Sequence, residues 1–317
     1  MILKLAPVLK DYLWGGTKLK EEYKFNTKLD TVAEGWMLSC HKDGESRVIG
    51  GKYNEKTLNE VINTEGKCIL GSNAQKFDFF PVLIKLIDAK KDLSVQVHPN
   101  NEYAMRVEGE YGKTECWYII DCEDGAELIY GFNKKISSEE FKERIENNTF
   151  LDVVNKVKVK KGDLFFIEAG TLHAIGKGIL LAEIQQNSNT TYRVYDYNRL
   201  GTDGKPRPLH TQKAIDVTVC EPPKKQNAYK EAMHNGYSEK LLTRCDLFTV
   251  TELNINKSAV REALEDSFVS LLVIDGGGIL KNKGETISLE KGDSIFITAG
   301  SGNIEIKGEL KIFETRI

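Results

Sequence analysis

The stretch KKGDLFFIEAGTLHAIGKG, residues 160–178, returns in altered form as EKGDSIFITAGSGNIEIKG, residues 290–308. A shift of 130 residues superimposes them, and KGDxxFIxAG is common to both. A pattern that recurs at such a distance marks two copies of one unit. Each copy holds a Lys-Gly turn, an aspartate able to hydrogen-bond its own turn backbone, an apolar strand and an Ala-Gly turn. The copies differ at one telling place: His173 in the first matches Asn303 in the second. The fold therefore does not require histidine there, and His173 becomes a candidate for function rather than packing.

Outward from this repeat the chain reads as short strands of period two: PVLIKLI (81–87), LSVQVH (93–98), TECWYIID (114–121), AELIYGF (126–132), DLFFIEA (163–169), GILLAEIQQ (178–186) and TYRVYDYN (191–198). This predicts an all-β barrel or sandwich. Helices read as insertions, at KTLNEVINTEG (56–66) and at SSEEFKERIENNTFLDVVNKV (137–157). The second opens with a capping box, Ser137 and Glu140, and carries an apolar stripe of Phe141, Ile145, Leu151 and Val154. A change to Pro, Lys and polar residues in CEPPKKQNAYKEAMHNG (220–236) predicts a linker. It separates a first domain, 1–225, from a second all-β domain, 236–317.

The bulk numbers narrow the function. The 317 residues are 40% hydrophobic, with 44 basic and 47 acidic residues and a net charge of -3. Neither sign forms a long run, which argues against a nucleic-acid partner. No apolar run approaches the ~20 residues of a transmembrane helix. The opening MILKLAPVLKDYLWGG is interrupted by Lys4, Pro7, Lys10 and Asp11 before a signal-peptide core can form, so a cytoplasmic protein without a membrane partner is expected. The six cysteines show no CxxC pair and read as free thiols. LWGGTKL and IDGGGIL lack phosphate-loop and dinucleotide spacing and read as turns, and Trp14 is a core anchor or a pocket wall.

LSVQVHPNN (93–101) carries the chemistry. As a strand it points Ser94, Gln96 and His98 to one face and Leu93, Val95 and Val97 to the other. With Glu115 on the following strand and His173 at a turn, two imidazoles, a carboxylate and an amide are available to Zn²⁺ or another borderline divalent ion. The competing reading is that Gln96 and His98 only satisfy hydrogen bonds on a half-buried sheet. Period two also puts Lys113, Glu115 and Trp117 on one face. Lys85 interrupts an apolar run, either at a strand edge with its ammonium in water or buried with a lowered pKa as a proton carrier or phosphate contact. Arg193 either stacks on Tyr192 or Tyr195 or meets an anion. Arg199 and Lys205 read as solvated loop charges.

The segments LSVQVHPNNEYA, GKTECWYII, FIEAGTLHAIGKG and LLAEIQQNSNTTYRVYDYNR, with LWGGTKL near the start, resemble the type I phosphomannose isomerases of the cupin superfamily over roughly residues 1–220. The resemblance implies two cupin-like jelly-roll barrels, the second without ligands, and one Zn²⁺ per chain on Gln96, His98, Glu115 and His173. It implies Arg193 as the catalytic arginine, Lys113 as an active-site lysine that also binds substrate, and Lys85 and Ser94 as pocket residues. The short interval between Glu115 and His173 matches the compact bacterial form. The implied reaction is the interconversion of mannose 6-phosphate and fructose 6-phosphate through an enediolate. Arg193, cationic at ordinary pH, would stabilise charge there rather than act as base. A cupin dioxygenase and a sugar-binding cupin without turnover are the alternatives.

Overall fold

The computed structural model describes residues 1–201, 204–226 and 228–317. Three of the apolar runs lie at its centre. Glu115–Cys122, Ile179–Gln186 and Val82–Ala89 pair antiparallel in a six-stranded sheet, with Leu164–Ile167 outside the first and Glu34–Leu38 then Val8–Lys10 outside the last. Strands covered on both faces need apolar residues on both, and period two sorts them. Val82, Ile84, Leu86, Cys116, Tyr118, Leu180 and Ile184 join Phe268, Leu272, Phe296 and Phe313 of the C-terminal half in one core. On the opposite face Ile87, Trp117, Ile119, Ile179 and Leu181 meet Leu128 and Ile175 of a second, five-stranded sheet.

That second sheet runs Val154–Lys158, Glu127–Phe132, His173–Ile175, Val95–Val97, Tyr192–Tyr195. Its far face, through Val95, Val97, Phe132 and Val194, is covered by Phe141 of the helix Ser138–Glu146 and Ala214 of the helix Thr211–Val217. The site-bearing strands are thus enclosed between two sheets, each backed by a further apolar layer.

The C-terminal half forms a ten-stranded sheet around its own core of Leu253, Leu271, Val273, Ile295, Ile304 and Ile312. Two N-terminal strands belong to it: Ile2–Ala6 pairs with both Ser294–Ile297 and Arg47–Ile49. The protein is mostly β with few helices, as expected, while the expected barrels are not borne out, since among the described residues no sheet closes on itself. The first unit is a pair of open sheets. In the second, the long strands Val269–Asn282 and Gly302–Arg316 slip register between Val273 and Asp275, an irregularity that bends a sheet without closing it. No helix is long and apolar enough to cross a membrane among the described residues.

The helix expected at 56–66 is Leu58–Glu65, with a reciprocal Thr57/Glu60 capping box and Gly66 at its end. The helix expected over 137–157 is corrected: it stops at Glu146, a short turn follows, and Val154–Lys158 is a strand. Asn148 takes a φ of 56°, in the left-handed region that ends helices, and the β-branched pair at 153–154 prefers extended backbone. Ser137 caps Glu140 N, but the Glu140 carboxylate turns to Arg144 instead of completing the box.

The repeat is real in three dimensions. Asp163 Oδ2 accepts Lys160 N at 2.9 Å and Asp293 Oδ2 accepts Glu290 N at 2.8 Å, around Gly162 and Gly292, both at φ 90° where only glycine sits without strain. Opposite Ile167 stands Glu115 and opposite its repeat partner Ile297 stands Val269; Trp117 and Leu271 correspond likewise. Past the Ala-Gly turn the copies diverge, for His173 is buried while Asn303 is exposed.

Phe268 stacks on Phe80 at 5.4 Å and lies tilted against Phe296 at 5.1 Å, in the core shared by both halves. Phe268→Ala should cost about 3–5 kcal/mol in urea unfolding and shift one common transition. Two separate transitions, only one of them shifted, would show that this core does not couple the halves.

Candidate metal centre and active-site cavity

Local structure fixes the first histidine. Val95–Val97 ends at Pro99, which cannot extend the pairing, and Asn100 caps the helix Asn101–Val107 by accepting Tyr103 N. Pro99 O accepts Lys113 N at 3.0 Å and His98 O accepts Gly170 N at 2.8 Å. The segments carrying Lys113, Glu115 and His173 are thereby pinned to the one carrying His98.

The side chains converge. Nε2 of His98 and Nε2 of His173 are 3.1 Å apart, and Glu115 Oε1 lies 3.6 and 3.2 Å from them. All three residues are buried. Each Nδ1 faces a backbone carbonyl, Thr190 O at 2.9 Å and Thr171 O at 2.8 Å, which places the proton on Nδ1 and turns the Nε2 lone pairs toward each other. Burial, with the Lys113 charge beside His98, keeps that imidazole well below its ordinary pKa; burial also lowers His173, against the pull of Glu115. Burial would raise Glu115, but the Lys113 charge beside it holds it below its ordinary value.

Such a cluster fits a cation. Two neutral imidazoles aim lone pairs at one point, and both Glu115 oxygens lack a well-directed hydrogen bond, although Lys113 Nζ is 3.0 Å from Oε2. Gln96, opposite His173 in register, presents its amide 3.4 Å from Nε2, and a half-turn of that amide offers its oxygen to the same point.

Against the cluster lies a cavity of about 300 Å³, lined by Ser94, Gln96, Lys113, Lys85 and Arg193 among others. It thus gathers every pocket residue expected from the sequence. Both readings of Lys85 need correction. It lies at the centre of the sheet, 3% exposed, rather than at an edge. Burial would lower its pKa, but Glu34 and Glu183, each 3.4 Å away, outweigh that and raise it, so it is a held cation rather than a neutral amine. Arg193 donates to Pro208 O at 2.9 Å, and its buried Nε has no acceptor. Arg199 is bound to Asp196 rather than solvated, while Lys205 is exposed. Trp14 is both core and cavity wall.

Glu34, Glu183, Tyr12 and Arg207 also line the cavity and were not foreseen. A signal existed for Glu183: it stands alone in GILLAEIQQ as Lys85 does in PVLIKLI. In register the two are direct partners, in a cross-strand row Trp36, Lys85, Glu183, Trp117. Trp117 Nε1 donates to Glu183 Oε2 and Trp36 Nε1 to Glu34 Oε2, both at 2.7 Å.

The sheets and the buried cluster define a cupin-type β protein with a site fit for a divalent cation. The model of the type I phosphomannose isomerase catalytic domain matches residues 2–125, and that of the mannose-6-phosphate isomerase cupin domain matches 238–317. Mannose-6-phosphate isomerase ManA of Bacillus subtilis is 40% identical over 96% of this chain and 96% of its own. The Streptococcus mutans enzyme of that name is 38% identical over 95% and 93%. The crystal structure of the mannose 6-phosphate isomerase from Bacillus subtilis superimposes with a TM-score of 0.93, at 38% identity over 100% of this chain and 99% of that one. The chain belongs to the type I phosphomannose isomerase family.

The carbonyl that orients His98 is itself clamped. Glu110 Oε2 accepts Asn189 N and Thr190 Oγ1, each at 3.3 Å, and faces His41 Nε2 at 3.4 Å, while Lys42 pairs with Oε1 at 2.7 Å. Glu110→Ala should loosen Thr190 and weaken metal binding roughly 10-fold or more, read by chelator competition. A wild-type affinity in that variant would show that the clamp does not act on the site.

Proposed function

We propose that the protein interconverts mannose 6-phosphate and fructose 6-phosphate, an aldose–ketose isomerisation by proton transfer between C2 and C1. The observation that carries this reading is one cavity lined by four cations, Lys85, Lys113, Arg193 and Arg207, whose wall residues Gln96 and Lys113 touch the buried His98, Glu115 and His173 cluster. Cations in that number suit an anionic sugar and have no task in a dioxygenase pocket. A binding-only cupin would not need a carboxylate acceptor set among them.

Gln96, His98, Glu115 and His173 would hold one divalent ion, and a set of imidazole, carboxylate and amide without thiolate favours Zn²⁺. Bound there, the ion would supply Lewis acidity to the sugar oxygens. The rest falls to side chains. Glu183 Oε1 accepts no hydrogen bond and faces the cavity, between Lys85 at 3.4 Å and Lys113 at 4.0 Å. It is placed to take the proton from C2 and return it at C1. Lys113 and Arg193 supply positive charge where the enediolate becomes negative. Ser94, buried in the cavity wall, offers the sugar a hydroxyl.

We read the chain as a metal-bearing unit, 1–225, and a C-terminal unit, 236–317, each a jelly roll of the cupin kind with open sheets. A cytoplasmic setting accords with six unpaired cysteines.

The test is formation of fructose 6-phosphate from mannose 6-phosphate. Chelation should abolish it and added Zn²⁺ restore it. Arg193→Ala should keep its metal and lose roughly 100-fold or more in kcat. No turnover in fully metallated wild-type protein would refute the activity.

A further inference from the structure

Arg207 stands where the reaction cavity meets the outside. It lines the 300 Å³ cavity with Lys85 and Lys113, and with Tyr12 it also lines an adjoining cleft of about 610 Å³ bordered by Leu13, Thr31 and Pro208. Its guanidinium is held from one side. Asp196, itself buried, accepts Nε on Oδ2 at 2.7 Å and Nη2 on Oδ1 at 2.5 Å, and the same carboxylate pairs with Arg199. A guanidinium has five N–H donors, of which Asp196 engages the Nε side. The Nη1–Nη2 edge, the fork that matches phosphate oxygens in pairs, meets no acceptor among the described residues.

Charge points the same way. Two guanidiniums share the one Asp196 carboxylate, which leaves positive charge at the mouth. Arg193 adds to it, with its buried Nε unpaired and its Nη1 on Pro208 O, the residue next to Arg207. At the floor, by contrast, Lys85 is matched by Glu34 and Glu183, and Lys113 by Glu115. The surplus cationic charge lies at the entrance.

We infer that Arg207, preorganised by Asp196, anchors the substrate phosphate at the cavity mouth. The inference rests on the sugar-phosphate reading of the cavity. In an open-chain hexose 6-phosphate, C1 and C2 lie at the end opposite the phosphate. A phosphate fixed at Arg207 therefore directs the reacting carbons inward, toward Lys113, Glu183 and the histidine cluster. Asp196 is a positioning residue in this scheme, since it fixes which edge of Arg207 faces the ligand.

Equilibrium binding to the metal-loaded protein tests this without requiring turnover, so its outcome is separable from that of the isomerase assay. Calorimetry would compare mannose 6-phosphate, inorganic phosphate and unphosphorylated mannose in wild type, Arg207→Ala and Arg207→Gln, with the melting temperature of each variant as the control for folding. Both variants should weaken mannose 6-phosphate and inorganic phosphate by a similar factor, roughly 10- to 100-fold, and leave mannose unchanged. Wild-type affinity for mannose 6-phosphate in a folded variant, or an equal loss for mannose, would overturn the assignment.

Discussion

A charge carried into a dry interior has to be answered within a few ångströms, and the face of the six-stranded sheet toward the second sheet carries in five of them. Lys85, Lys113, Glu34, Glu115 and Glu183 are all buried on or beside the face toward the second sheet. Three carboxylates against two ammoniums leave one negative charge, next to two imidazoles kept neutral by burial. The proposed divalent ion would turn that deficit into a single positive charge, which an anionic substrate would then answer.

The surrounding layers make this arrangement possible. Leu128, Ile175 and Trp117 shield the cluster face, while the aromatic core around Phe268 and Phe296 covers the opposite face of the same sheet. The C-terminal unit appears in this light as the backing of the catalytic sheet. Val269 and Leu271 occupy the places corresponding to Glu115 and Trp117, and apolar side chains fill the interior where the first unit keeps its site. The repeated turn is retained in both units because the fold needs it.

The sequence made much of this legible. Period two located the central strands, the repeat exposed the shared turn, and QVH with Glu115 and His173 marked the cluster. What stayed hidden depended on pairing across distant strands. Lys85 read alone suggests an edge or a lowered pKa; only its register opposite Glu183, and Glu34 beside it, makes it a cation. Arg207 lies in a turn-rich loop where charge usually means solvent, and Asp196 gives it meaning. Barrel closure was not legible for a related reason, since whether edge strands meet is set by register and bending rather than by the pattern within any strand.

The most direct measurement is a titration of metal-free protein with Zn²⁺, following bound metal and isomerase activity in the same samples. Both should rise together and stop at one equivalent, with X-ray absorption showing nitrogen and oxygen ligands, two of them imidazoles, and no sulfur. Full activity in metal-free protein, or zinc held through sulfur, would contradict the account.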